Sequence, residues 1–302
     1  MQYSSNILMI RPVRFNYNPE TAVNNRFQSK SGNAVEQKAL EEFDGFVHLL
    51  QNNRLHPVVV TDTPEPFTPD SVFPNNWISF HEDGTLVLYP MFAENRRKER
   101  KQEVLNRIKD HFQIKQTIDL TAYENCHRFL EGTGSMVLDR ENNIAYACIS
   151  ERTDKELLSV FCEKMQYAPV SFTATDAADT PIYHTNVMMC IADRFAVICL
   201  DSIRKESERK LVESSIEKTG KQLVPISIYQ MNHFAGNMLQ VANRQGEKML
   251  VMSSQAFQSL TSEQIRILEQ YNRIIHSDIS TIEANGGGSA RCMIAEIFLP
   301  VK

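Results

Sequence analysis

No apolar run in this chain approaches the roughly twenty residues that cross a bilayer, which excludes a membrane-spanning helix. Met1 to Ser5 places no basic region ahead of a long apolar stretch, so no signal peptide is expected. Basic residues are scattered except for Arg96, Arg97, Lys98, Arg100 and Lys101, and the net charge is −5. Nucleic-acid binding needs a broader basic face than that. The 6 cysteines lie far apart with no Cys-x-x-Cys pair, which argues against both a disulfide framework and a zinc site. Neither Gly-x-Ser-x-Gly nor His-Glu-x-x-His occurs, so serine and metal hydrolases lack their motifs. What these absences leave is a cytoplasmic protein with reduced thiols, with no metal and no cofactor called for.

With 302 residues, 42% of them hydrophobic, the chain can bury one large core or two modest ones. No linker-like boundary divides it, so residues 1–302 read as a single domain. Asn6 to Pro12 opens with a strand, Ala34 to Asn52 has helical periodicity, and Pro57 to Thr61 is again a strand. Then one pattern recurs. Phe73–Phe80 and Thr85–Pro90 flank a Glu82-Asp83-Gly84 turn, and a charged helix over Asn95–Phe112 and a strand at Thr117–Leu120 follow. The hairpins Gly134–Asp139 with Ile144–Ser150, Thr185–Ile191 with Phe195–Leu200, and Asn237–Val241 with Met249–Ser253 each lead to a helix and a strand in the same way. Asn76, Ser135, Asn186, Asn237 and Cys292 then hold equivalent places, spaced 59, 51, 51 and 55 residues apart. A period near fifty residues marks a repeat architecture. Five strand-strand-helix-strand units, with the last strand borrowing its partner from Ile7–Arg11, predict a five-bladed α/β propeller closed by the termini. The equivalent polar positions would converge on its axis.

One thiol stands apart. Cys292 follows Gly286-Gly287-Gly288 and opens the apolar run Met293–Leu299, so a polar loop presents it at the end of a core strand. A free cysteine packed as a small hydrophobe is the plain alternative. The loops before the repeated strands add Asp70, Asn75, Asn76, Glu131, His184, Asn186 and Asn237. His184 belongs to another blade than Cys292 but should face the same cavity, and a nucleophile with a base is the minimal covalent apparatus. Glu131 can orient that base. His127 and His233 lie near enough to blade openings to be further liners.

These residues resemble a known family. Pro69-Asp70-Ser71-Val72-Phe73-Pro74-Asn75-Asn76-Trp77, Asn95-Arg96-Arg97-Lys98-Glu99-Arg100, Leu130-Glu131-Gly132-Thr133-Gly134-Ser135, Ser150-Glu151-Arg152-Thr153, His184-Thr185-Asn186 and Cys292 are similar, in order, to motifs of the penteins, the guanidino-group-modifying superfamily. Within it the resemblance is nearest to the citrulline-utilisation hydrolases, an arginine deiminase-related group. It implies Cys292 as nucleophile, His184 as acid and base, Glu131 as its support, and Asp70 on the substrate α-amino group. It also implies Arg97 and Arg152 as a clamp on the α-carboxylate, with a small amino acid as substrate.

Arginine-directed relatives carry acids where this chain has Asn75-Asn76, and His-x-Asp where it has His184-Thr185-Asn186. Amides of the same shape leave a cationic guanidinium unneutralised, which costs several kcal/mol when buried. A neutral ureido group suits them, so citrulline is expected, with hydrolysis to ornithine, ammonia and carbon dioxide. The alternatives are an arginine deiminase, a dimethylarginine hydrolase, an amidinotransferase and, outside enzymes, an inactive propeller used for binding. The polar stretch 16–33 reads as either a lid over the cavity or the contact of a homo-oligomer.

Overall fold

Alternating apolar residues determine how the strands assemble. The computed structural model describes residues 1–30 and 34–302, and in these the strands form five three-stranded sheets. The first sheet sets β1 (Asn6–Arg11) between β2 (Val58–Thr61) and β15 (Ala295–Ile297). The second contains β3 (Ile78–Phe80), β4 (Thr85–Leu88) and β5 (Gln116–Asp119), and the third β6 (Val137–Asp139), β7 (Ile144–Cys148) and β8 (Ala168–Phe172). The fourth contains β9 (Met189–Ile191), β10 (Phe195–Ile198) and β11 (Gln222–Pro225), and the fifth β12 (Leu239–Ala242), β13 (Lys248–Ser253) and β14 (Arg273–Ser277).

In every sheet the middle strand pairs antiparallel on one side and parallel on the other. A hairpin makes the antiparallel pairing in four sheets, and β1 with β15 makes it in the first. The parallel one needs a helical crossover. These helices are α1 (Val35–Asn52), α2 (Gln102–His111), α3 (Lys155–Met165), α4 (Glu206–Lys218) and α5 (Ser262–Glu269). In α1, Ala39, Phe43, Phe46 and Leu50 make one buried stripe at helical spacing. Burying each large member contributes about 2 kcal/mol. Asp154 caps α3 through Leu157 N, and Thr261 with Gln264 forms a capping box on α5.

The middle strands are buried on both faces, and in the first, second, third and fifth sheets their period of two feeds two different cores, whereas β10 lies wholly in one. Leu8 and Ile10 of β1 pack with β3 and β4, whereas Ile7 and Met9 pack with the fifth sheet. Leu86 of β4 faces the first sheet and Val87 the third. Ala145 and Ala147 of β7 face the second sheet, and Tyr146 and Cys148 the fourth. Leu250 and Met252 of β13 pack toward the fourth sheet, Met249 and Val251 toward the first. The terminal strand pairs with the N-terminal one as expected, Asn6 opposite Ile297.

Two expectations need correction. The helix drawn over Asn95–Phe112 is divided into a single turn, Glu94–Arg97, and then α2 from Gln102. The break accompanies inward rotation of Arg96 and Glu99, both buried. Secondly, the residues before the inner strands are helical turns rather than strand: Pro74–Asn76, Gly132–Ser135 and Thr185–Met188. Cys292 shares this shape, its N–H donating to Ser289 O at 2.9 Å. One turn is too short to show a 3.6-residue period.

Candidate active site

Those helical turns aim polar side chains from different sheets at one point. Cys292, His184, Asp70, Asn76, Arg96 and Arg152 line a common cavity enclosing about 260 Å³ of empty space, its mouth included. Cys292 is 3% exposed. Its sulfur accepts from Asn237 Nδ2 at 3.3 Å and Asn186 Nδ2 at 3.4 Å. The Asn237 amide cannot be turned round, because its Oδ1 accepts the Arg291 backbone N–H at 3.0 Å.

His184 Nε2 donates to Glu131 Oε2 at 2.8 Å. Burial drives the His184 pKa down to about 4, against the bond and charge of Glu131, so the imidazole is neutral. Burial alone would raise Glu131, but the Arg152 charge and the His184 bond outweigh it and lower its pKa to about 2. Both Glu131 oxygens are engaged: Oε1 accepts from Phe92 N at 2.9 Å, and Arg152 Nη1 lies 3.6 Å from Oε2. Glu131 therefore serves the histidine and offers little charge to a ligand.

Gly134 leaves no room for a side chain. A Cβ there would lie 2.5 Å from Asn76 Nδ2 and 2.8 Å from His184 Nδ1. The same contact shows that His184 Nδ1 and Asn76 Nδ2 face each other's neighbourhood across the bare glycine. Gly287, at φ +66°, takes the left-handed conformation that lets its carbonyl accept from Tyr183 Oη at 2.5 Å and Asn25 Nδ2 at 3.3 Å.

Asp70 is buried, which raises its pKa against the pull of Arg96 and of hydrogen bonds from Asn18 and Thr21. Those two donate to Oδ2 at 2.7 and 3.0 Å. Its Oδ1 has no hydrogen-bond partner among the described residues and is free to accept. Arg152 donates to Thr21 O at 2.6 Å and, through Nε, to Asn24 Oδ1 at 2.8 Å.

Of the two neighbouring arginines, Arg96 and not Arg97 lines the cavity. Arg97 instead donates to the Met91 and Phe92 carbonyls and is partly exposed. Consecutive residues on a helical turn point about 100° apart, so only one can face in. Arg96 forks onto Glu99 at 2.8 and 3.0 Å and donates to Asn76 Oδ1 at 2.7 Å. Asn76 Nδ2 in turn donates to Asn75 Oδ1, and Asn75 Nδ2 to Thr133 Oγ1. Asn75 thus stands behind Asn76, outside the cavity. His127 and His233 line no part of it.

Residues before 31 cross this cavity. Thr21 and Asn25 line it, Asn24 bonds Glu151, Arg26 pairs with Asp176, and Ser29 N donates to Ala284 O at 2.6 Å. Residues 31–33 of that stretch lie outside the described residues. The sequence signal for this cover was only its polar, turn-rich composition. For Arg96 the signal was its i, i+3 spacing from Glu99 in a basic run at the start of a helix.

A buried thiol under two amide donors, a neutral histidine braced by a carboxylate, and five small sheets define a pentein-type α/β enzyme. The sequence matches the family described as N,N dimethylarginine dimethylhydrolase, eukaryotic, over residues 11–299, and the chain belongs to that family of guanidino-group hydrolases. No curated protein matches it. Among solved structures it is similar to ArgZ, an arginine dihydrolase of the ornithine-ammonia cycle in cyanobacteria, at TM-score 0.77 and 16% identity. That alignment covers 98% of this chain and 41% of ArgZ. The N-terminal domain of ArgZ is matched over 97% of this chain and 99% of the domain, at TM-score 0.73 and 16% identity. A dimethylarginine dimethylaminohydrolase adduct is matched at TM-score 0.66 and 15% identity, over 98% and 99% of the two chains. No described helix is long and apolar enough to cross a membrane.

Proposed function

We propose that this enzyme hydrolyses the ureido carbon of citrulline through a covalent bond to Cys292. The observation that carries the reading is the orientation of the amides. Arg96 can only donate, so its bond to Asn76 Oδ1 leaves the Asn76 NH₂ as the group toward His184. Asn186 and Asn237 also turn their NH₂ groups toward Cys292. Donors suit the carbonyl oxygen of a ureido group and the charge that grows on it. A guanidinium has no acceptor to offer them, and the oxygens of Glu131 and Glu99 are already paired.

On this reading Asp70 Oδ1 takes the substrate α-ammonium and Arg152 its α-carboxylate, with Arg96 adding positive charge nearby. Neutral His184 removes the thiol proton as sulfur attacks the ureido carbon. It returns that proton to the departing nitrogen, and ammonia leaves as the C–N bond breaks. Water then adds to the thio-linked carbon, gives a proton through His184 to the sulfur, and releases N-carboxyornithine. Loss of carbon dioxide yields ornithine. The cyclic succession of apolar clusters supports a single domain whose five sheets form a propeller closed by the termini. The six free cysteines suit a cytoplasmic location.

A second reading, with arginine as substrate, is favoured by the likeness to ArgZ. The two are separated by incubating the purified protein with citrulline, arginine, agmatine and dimethylarginine, with Cys292→Ala beside it. Ornithine and ammonia from citrulline, absent in the variant, is the expected result. Faster ornithine release from arginine overturns it.

A further inference from the structure

A second hollow, about 410 Å³ with its solvent-facing mouth included, adjoins the wall behind Cys292. It shares no lining residue with the amino-acid pocket; inner-strand residues such as Leu138, Ile191 and Leu239 bound it. Yet the partition is one amide thick. Asn186 lines this rear cavity while its Nδ2 reaches Cys292 Sγ at 3.4 Å. Arg291, on the rear side, is the chain neighbour of Cys292.

Polar and apolar residues share the lining of the rear cavity. Arg291 pairs with Glu296 at 3.1 Å inside it, and Gln2 and Gln240 add further polar groups. Polar cavities take up water where apolar ones stay dry. Asn186 is 1% exposed, and its Oδ1 has no partner among the described residues. A water lodged beside this amide would satisfy it.

The chemistry requires such a supply. If the reading above holds, and this inference rests on it, the amino acid stays held by Asp70 and Arg152 while water reaches the intermediate. In front, Thr21 and Asn25 cover the pocket and the ties of Asn24 and Ser29 hold that cover down. The substrate fills what remains.

We propose that the rear cavity delivers the hydrolytic water to the Cys292 intermediate past the Asn186 amide. That water forms the new C–O bond, its proton passes by His184 to the sulfur, and the S–C bond breaks. No other reactant is needed.

Leu138→Phe and Leu239→Phe narrow the cavity without touching the amino-acid pocket. Each is compared with the parent by steady-state kinetics and by intact mass after acid quenching, on whichever of citrulline and arginine the parent turns over. The substrate reading is thus decided by the parent, and the water route by the variants. The expected result is a tenfold or greater fall in kcat with KM within twofold, and accumulation of the adduct of Cys292 with substrate less ammonia. Unchanged kcat, or a fall without adduct, in a variant with a cooperative thermal melt overturns the proposal. Should neither variant fold, Leu138→Ala widens the cavity instead. There the adduct must be no higher than in the parent, and a rise overturns the proposal.

Discussion

Arg96 Nη1 donates to Asn76 Oδ1 at 2.7 Å, and that single bond decides which end of the amide faces His184. Glu99 holds the guanidinium in place through both of its oxygens. Arg96→Lys keeps the charge but loses the fork, so the Asn76 amide can rotate. We expect kcat/KM for citrulline to fall about 10²-fold, as for loss of one aimed donor. Stability should drop by about 3 kcal/mol because Glu99 stays buried with a poorer partner. Kinetics and denaturant melts measure the two effects separately.

Acid should weaken the fold through His184. Its folded pKa, about 4, lies below its ordinary 6.5, so the unfolded chain takes up the proton first. Stability from keeping it neutral is full above pH 6.5 and is lost as the pH falls toward 4. Glu131, held near 2 against an ordinary 4.5, adds a second loss only below pH 4.5. Between pH 7 and 5 the denaturation midpoint of the parent should therefore fall relative to that of His184→Gln, which lacks this titration. An equal fall in both proteins contradicts the assignment.

Gly134 should tolerate no side chain. Gly134→Ala places a methyl within van der Waals overlap of Asn76 and His184. Overpacking of this kind costs about 1–3 kcal/mol, and here the groups displaced line the cavity that holds the thiol. We expect at least a 10²-fold loss of kcat, consistent with loss of an aligned donor. Activity near the parent level would mean that His184 and Asn76 need not keep these positions.

The sequence exposed the repeat through the even spacing of Asn76, Ser135, Asn186, Asn237 and Cys292, whereas the division by which Ile7 and Met9 feed one core and Leu8 and Ile10 another emerges only on folding. Cys292, His184 and Glu131 were legible as chemically able residues in equivalent loops. The choice between Arg96 and Arg97 was not, since it turns on a one-turn helix that ends at Arg97. Nor was the second task of Ser135, which holds its own turn by bonding Glu131 N and Arg152 O. The cover formed by Asn18, Thr21, Asn24 and Asn25 makes side-chain contacts to residues 49 to 262 positions away, and no local pattern encodes them.

The donor role of these amides is tested most directly by kcat/KM for citrulline and for arginine, measured on the parent and on Asn76→Asp. The parent should prefer citrulline by at least 10²-fold. The carboxylate should remove the donor facing His184 and move the ratio toward arginine by a factor of at least ten. A parent that prefers arginine, or a ratio indifferent to the substitution, would contradict the reading of these amides as donors to a ureido oxygen.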